Sequence, residues 1–387
     1  MKAIVHIGAP KTGSSSIQAF LKMNTVALRK QGFRFGLDSN TRVQHVDVPI
    51  AALARLGRVL QMSDKGMRYG APDLASANTV LKRVTTDLAA YPSLYPSSTL
   101  ILTAEHILPW LTDVEAVQSL DAMLSEYCET IKYILYLRNP VDMVRSAFSE
   151  RIKRGTSVAQ DEFVNQRLTK IDQFSDVSRW ISAVGAARFN TRLLEPDFLT
   201  DRDLIADFTG QCGITLEGLK RPERKNESLT AEAVEVLNIF NKRVPQIVDV
   251  STVNPVSRGV VRRIMAHPQS KTPIRLTAEQ TAAIVASTAE STENLRAAYF
   301  PQRAVLYAGA PQAGASEDKS DILARAVEIA VDMFVDQRSG KWGELDDEDL
   351  TLAKVRTAGE DAKTDGDRAR RKARKEAKRA KVMQAVE

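Results

Sequence analysis

The sequence predicts an α/β fold built around a mainly parallel sheet. Strand-like runs of apolar and β-branched residues, such as 3–7, 99–103 and 131–138, alternate with stretches of helical spacing. That alternation is typical of parallel strands joined by helices. The third run is apolar enough to be a central strand with both faces covered. The 387 residues, 43% hydrophobic and 26% charged, have the composition of a soluble globular protein and suffice for one to three domains.

The N-terminal stretch predicts an anion-binding loop. Residues 3–7 form a buried strand, residues 8–13 contain two glycines and a proline typical of a tight loop, and a serine after Gly13 can cap the next helix. In a strand, loop and helix of this kind, the loop amides and the helix N-terminus point at a bound phosphate. Lys11 adds a positive charge. Hydroxyl donors follow at Thr12, Ser14, Ser15 and Ser16.

The order of residues in this loop differs from that of nucleoside triphosphatases. The frame from Gly8 to Gly13 has the usual spacing, but Ser14 replaces the lysine of G-x-x-x-x-G-K-[ST]. The run Pro10-Lys11-Thr12-Gly13-Ser14-Ser15 instead resembles the 5′-phosphosulfate loop of sulfotransferases that use 3′-phosphoadenosine 5′-phosphosulfate (PAPS), P-K-[TS]-G-[ST]-[ST]. The resemblance implies that Lys11 is catalytic and that the donor is bound by Lys11, Thr12, Gly13, Ser14, Ser15 and Ser16. The alternative is an ordinary turn between a strand and a helix.

A second motif follows the strand at 131–138. Arg138 stands just before a helix that Pro140 can open, and Ser146 lies about two turns inside it, so both can reach one anion. The segment resembles the 3′-phosphate motif of the same family, R-[DN]-P-x-x-x-x-x-S, with Asn139 in place of the commoner aspartate. The resemblance assigns Arg138 and Ser146 to the 3′-phosphate. A solvated basic helix face is the interpretation for Arg145, Arg151, Lys153 and Arg154.

A candidate general base follows the strand at 99–103. Glu105 and His106 stand at its carboxyl end, where ligands of open α/β sheets gather. Members of the resembled family carry a glutamate or a histidine here that deprotonates the acceptor. We favour Glu105 because bacterial and carbohydrate-type members often have S-x-E at this strand end, and His106 stays open. A helix-capping glutamate beside a satisfied histidine is the structural alternative.

The resemblance covers residues 1 to about 305 and implies a three-layer α/β sandwich related to P-loop nucleotide kinases, with no required metal. We predict a sulfotransferase domain at 1–307, a linker at 308–320, and a charged helical, partly disordered extension at 321–387. Residues 163–184 are predicted as one helix and 244–275 as irregular. Arg224 and Lys225 are candidates for a loop closing over the nucleotide, or for a solvated turn.

The net charge of +6 belongs to the C-terminal tail. Residues 368–381 contain nine basic residues and one acid, a charge of +8 that leaves −2 for the rest of the chain. This tail can contact an acidic polymer or an anionic membrane surface, or simply keep the protein soluble. No apolar run reaches the roughly 20 residues of a membrane span. Without a secretory signal either, the sequence predicts a cytoplasmic protein with Cys128 and Cys212 reduced.

The sequence therefore predicts transfer of a sulfuryl group from PAPS to a hydroxyl or amine of a carbohydrate or small molecule. One alternative is a magnesium-dependent nucleotide or small-molecule kinase on the same fold. The other is a non-catalytic protein that binds an acidic polymer through its basic tail.

Overall fold

The computed structural model describes residues 1–39, 44–60, 69–222, 228–244, 255–308 and 318–339. Its centre is a five-stranded sheet with the order β2-β3-β1-β4-β5. Every strand pair in this sheet is parallel. The strands are β1 (Lys2–Ile7), β2 (Phe33–Phe35), β3 (Thr99–Ala104), β4 (Thr130–Leu137) and β5 (Phe189–Leu193). The predicted α/β class with a parallel sheet is confirmed.

Helices connect these strands and continue beyond the last of them. The first half of the chain forms α1 (Ser14–Met23), α2 (Thr25–Lys30), α3 (Asp47–Arg55), α4 (Leu74–Leu94), α5 (Ile107–Trp110), α6 (Val114–Ser125) and α7 (Pro140–Lys153). The second half forms α8 (Gln160–Asn165), α9 (Gln173–Val184), α10 (Leu204–Cys212), α11 (Ala231–Asn241), α12 (Pro255–Ala266), α13 (Ala278–Tyr299) and α14 (Lys319–Arg338). Within the described ranges, no helix has the length and apolar character that a membrane span needs.

Helices cover both faces of the sheet. Val5 and Ile7 point to one face, where α3, α4, α6 and α9 complete a core. Ile4 and Ile101 point to the other face, where α1 and α10 pack. Successive side chains of a strand alternate between faces, so the continuous apolar runs of the sequence are explained by burial on both sides.

A second core lies beside the sheet. It is formed by α7, α8, α11, α12, α13 and α14, around side chains such as Val144 and Phe148. The helix α14 is held there by Arg325, whose Nε donates to Glu232 at 2.8 Å and whose Nη2 donates to Thr272 at 2.9 Å. The predicted helix after residue 320 thus packs against α11, while the division into domains at 307 stays a prediction.

Two predicted elements are wrong. The single helix expected at 163–184 is split into α8 and α9, because Asp172 accepts a hydrogen bond from the Ser175 amide and caps a new helix. The segment expected to be irregular at 244–275 contains α12. That helix buries Val260 and Ile264, four residues apart, in the second core.

The direction of the helix connections switches at the carboxyl ends of β1 and β3. The helix after β1 packs on one face of the sheet, and α6, which follows β3, packs on the other. Open α/β sheets bind ligands at such a switch point. Ile7 and Ala104 end these strands side by side. The two loops that follow, which hold Lys11 and Glu105, therefore share one site.

Candidate active site

The loop between β1 and α1 turns sharply and lies close against β3. The Gly8 amide donates to the Ala104 carbonyl at 3.0 Å. A Cβ atom at Gly8 would lie 2.6 Å from the Glu105 Cα, so only glycine fits. Lys11 and Gly13 have φ angles of 69° and 80°, in the left-handed region. A side chain at Gly13 would overlap that of Leu204.

The hydroxyls of this loop have different partners. Thr12 and Ser14 are buried and donate to the Ala9 carbonyl at 2.8 and 3.3 Å, so they brace the loop from within. Ser15 donates to Glu105 Oε1 at 3.3 Å, and the Ser16 side chain is exposed. The amides that open α1, those of Ser14 and Ser15, have no intrahelical acceptor. They therefore offer the anion-binding geometry of a helix N-terminus.

Both the backbone carbonyl and the side-chain ammonium of Lys11 contact residues in or just before α7. Its carbonyl accepts a hydrogen bond from Arg138 Nη1 at 3.0 Å. Its Nζ lies 3.2 Å from Glu150 Oε2, and the other oxygen of Glu150 accepts from Arg154 Nε at 2.8 Å. Burial opposes ionisation of Glu150, but the positive charges of Lys11 and Arg154 outweigh it and hold the pKa of this carboxyl below its usual value. Sequence reasoning missed Glu150. Its spacing of four residues from Ser146, which puts both on one helix face, could have indicated it.

The second motif lies directly against the loop. Arg138 is half-buried, and burial lowers the pKa of its guanidinium, a group that nevertheless stays charged in proteins. Asn139 caps α7 by accepting from the Val141 amide at 3.0 Å, the same hydrogen bond that an aspartate would accept. Ser146 is partly exposed on α7, and its hydroxyl bonds to no other described residue. The Arg138–Lys11 bond joins the two motifs that the sequence singled out.

A relay of hydrogen bonds fixes the backbone of Arg138. Its carbonyl accepts from Gln173 Nε2 at 2.9 Å, and the amide oxygen of Gln173 accepts from the hydroxyl of Tyr307. Gln173 is buried, and burial raises the pKa of Tyr307 well above its usual range. Tyr307, through Gln173, therefore supports the backbone of Arg138.

Replacing Tyr307 by phenylalanine is expected to lower the free energy of unfolding by about 1–2 kcal/mol, because it leaves the buried Gln173 oxygen without its donor. Urea denaturation measures the change. Tyr127→Phe is the matched control, since the Tyr127 hydroxyl bonds to no other described residue. An equal loss of stability in both variants would show that the Tyr307–Gln173 hydrogen bond does not contribute.

Glu105 and His106 have separate environments. Glu105 faces the loop, where it accepts from Ser15. The Nε2 of His106 lies 3.2 Å from the Tyr69 hydroxyl, and its ring packs against Trp110 with centroids 4.4 Å apart. The Glu105 carboxylate thus contacts Ser15, one of the residues predicted to bind the donor.

A buried histidine lies beneath the loop, and sequence reasoning missed it. His6 Nδ1 is 2.8 Å from the Thr103 hydroxyl, and Gln18 Nε2 donates to that hydroxyl at 3.4 Å. Burial lowers the pKa of His6 to about 3, so its ring is neutral at physiological pH. These three side chains tie β1, β3 and α1 together below the site.

Comparisons with known proteins give weak likenesses. No family model matches the chain, and no curated protein matches it. A sulfotransferase from Alicyclobacillus acidocaldarius is 13% identical, with a TM-score of 0.38 over 77% of this chain and 95% of that one. The sulfotransferase domain of the curacin biosynthetic pathway is 10% identical, with a TM-score of 0.36 over 74% and 97%. The corresponding domain of the Synechococcus PCC 7002 olefin synthase is 14% identical, with a TM-score of 0.29 over 74% and 93%. At these values the likenesses establish neither family nor function for this chain.

The arrangement can bind an anion and move a proton. Helix amides, Lys11 and Arg138 supply positive potential, and Glu105 supplies a base beside them. Among the described residues, no group of three His, Cys, Asp or Glu side chains could hold a metal ion. The predicted loop residues Arg224 and Lys225, and the basic tail at 368–381, lie outside the described residues and stay predictions.

Proposed function

We propose that this protein is a sulfotransferase that moves a sulfuryl group from PAPS to a hydroxyl or amine of a carbohydrate or small molecule. The observation that carries the proposal is the 3.0 Å hydrogen bond from Arg138 Nη1 to the Lys11 carbonyl. It brings a loop that resembles the 5′-phosphosulfate loop against a motif that resembles the 3′-phosphate motif. One molecule with anionic groups at both its 5′ and 3′ positions matches that pair.

The residues of the site fit such a donor. The amides of Ser14 and Ser15 and the Lys11 ammonium suit its 5′ side. The Arg138 guanidinium suits a phosphate through two parallel hydrogen bonds, and the Ser146 hydroxyl can add a third. Thr12 and Ser14 act in this proposal through the loop that they brace, and Gly13 through its conformation. Ser16 lies at the exposed edge.

The chemistry requires charge stabilisation and a base. The bound donor supplies a sulfuryl group whose transfer resembles phosphoryl transfer, with charge spreading onto the leaving oxygen. In this proposal Lys11 neutralises that charge. Glu105 takes the proton of the acceptor, and His106 is the second candidate for this role. A cytoplasmic location stays a prediction from the sequence.

Titration calorimetry with 3′-phosphoadenosine 5′-phosphate (PAP), the product of the reaction, tests the proposal. The titration is run without metal, and ATP with Mg²⁺ is run in parallel. Micromolar binding of PAP and not of ATP supports the sulfotransferase. Preference for ATP with Mg²⁺ would indicate the kinase instead, and binding of neither would favour a non-catalytic protein acting through its tail.

Replacing Glu105 by glutamine is expected to lower the turnover number about 10²- to 10⁴-fold, the usual contribution of a positioned base. The Kd for PAP should stay within about threefold, because the one hydrogen bond of this carboxylate among the described residues is from the Ser15 hydroxyl. Radiolabelled PAPS with an acceptor found by screening sugars and amines measures the rate. His106→Gln is the companion variant, and a larger loss there than in Glu105→Gln would reassign the base.

A further inference from the structure

The ammonium of Lys11 has a protein partner that lies within the proposed donor site. Glu150 is on α7, one turn after Ser146, so the two side chains project from the same face of the helix. Its Oε2 lies 3.2 Å from Lys11 Nζ. The side chain of Lys11 is 23% exposed and that of Glu150 is 33% exposed. The pair is therefore only partly screened by solvent.

Glu150 places a negative charge where the proposed ligand is itself anionic. Its carboxyl is held in the charged form by Lys11 and Arg154. Arg154 is 64% exposed and four residues further along the helix, a geometry that gives weak ion pairs. A donor that takes the ammonium of Lys11 leaves Glu150 with Arg154 as its one ion-pair partner among the described residues.

We propose that Glu150 is a positioning residue that competes with the nucleotide for the ammonium of Lys11. The inference rests on the proposed function and adds an exchange to it: Lys11 moves from Glu150 to the nucleotide on binding and returns on release. PAP keeps both phosphate groups of the donor, so the contacts to Arg138 and the loop amides hold the product as well as the substrate. A carboxylate that takes back Lys11 weakens the hold on the product and shortens its residence.

If Lys11 exchanges between Glu150 and the nucleotide, removing the negative charge of Glu150 should tighten nucleotide binding. Glu150→Gln keeps the size of the side chain and a carbonyl acceptor but ends the competition of a full charge for Lys11. The Kd for PAP should fall about three- to tenfold, as expected for relief of a partly screened charge interaction with a polyanion. Most substitutions of residues that touch a binding site weaken ligand binding. A lower Kd for PAP in Glu150→Gln would therefore distinguish the competing role from a structural one.

The experiment is a double-mutant cycle followed by calorimetry of PAP binding. It uses the full chain, Glu150→Gln, Lys11→Ala and the variant that combines them, with Glu150→Asp as the charge-conserving substitution. Glu162→Gln is the matched control, since Glu162 is exposed on α8 and bonds to Gln166. The gain from Glu150→Gln should be present with Lys11 and absent in the Lys11→Ala background. Glu150→Asp and Glu162→Gln should stay near wild type.

The outcomes separate the inference from the function on which it rests. Unchanged or weaker binding in Glu150→Gln would overturn the exchange while leaving the sulfotransferase proposal standing. The same gain with and without Lys11 would show that Glu150 acts on the nucleotide directly, which also overturns the exchange. Failure of the wild-type protein to bind PAP at all would overturn the proposed function and the inference with it.

Discussion

Replacing Lys11 by alanine should lower sulfuryl transfer about 10²- to 10⁴-fold, because a fixed cation at a developing negative charge is among the largest single contributions to such reactions. The loss should appear mainly in the turnover number. PAP also carries the 5′ phosphate, so some weakening of its binding is expected, but the loop amides and Arg138 remain. Initial rates with radiolabelled PAPS, beside the Kd for PAP, separate the two effects.

The fold of this variant should survive. The Lys11 side chain is partly exposed, and Glu150 keeps its bond to Arg154 when the lysine is gone. The backbone at position 11 has a φ of 69°, which costs a similar amount for alanine and for lysine. The melting temperature of Lys11→Ala should therefore differ from that of the wild-type protein by only a few degrees. Lys22→Ala, at the exposed end of α1, is the control. Wild-type turnover in Lys11→Ala would remove Lys11 from the chemistry.

The sheet could be predicted from sequence because its central strands are buried on both sides. The apolar run at 131–138 differs by one residue at each end from β4, Thr130–Leu137. A glycine after a helical pattern is likewise a local signal for a helix end, and Gly213, with a φ of 74°, ends α10. Such features depend on residues close together in the chain.

Elements that depend on distant contacts could not be predicted. The start of α9 depends partly on Ser291, whose hydroxyl donates to Asp172, the residue that caps the helix, and accepts from the Phe174 amide. The helical pattern on either side gives no sign of this contact across 119 residues. The helix α12 is likewise stabilised by burial in the second core, which several separate segments build.

The candidate site also combines local features that the sequence predicts with distant contacts that it does not. The two motifs name Lys11 and Arg138, and the packing of β1 beside β4 brings them into contact. The motifs do not reveal that Thr12 and Ser14 turn inward to Ala9. They also do not reveal that Glu150 holds the lysine, because both facts depend on the conformation of the loop against α7.

Replacing Arg138 by alanine should weaken PAP binding about 100-fold or more, because a charge-assisted pair of hydrogen bonds to phosphate is lost in a partly buried site. Arg138→Lys should recover only part of the affinity, since an ammonium cannot reproduce the two parallel bonds of a guanidinium. Arg145→Ala is the matched control on α7, the helix that follows Arg138, where Arg145 pairs with Asp142 at 2.6 Å. Calorimetry of the three variants measures the differences.

Comparison of PAP with 5′-AMP makes this prediction specific to one phosphate. The two ligands differ by the 3′-phosphate, so the ratio of their Kd values in the wild-type protein reports what that group contributes. If Arg138 binds the 3′-phosphate, Arg138→Ala should reduce this ratio toward one. The Kd for 5′-AMP should change by less than about fivefold, because the variant loses only one hydrogen bond near the 5′ side, that from Arg138 to the Lys11 carbonyl. A ratio that stays at its wild-type value would move Arg138 to a supporting role for the loop. The distinction matters because the 3′-phosphate is the group that separates PAPS from ATP, and hence a sulfotransferase from a kinase on this fold.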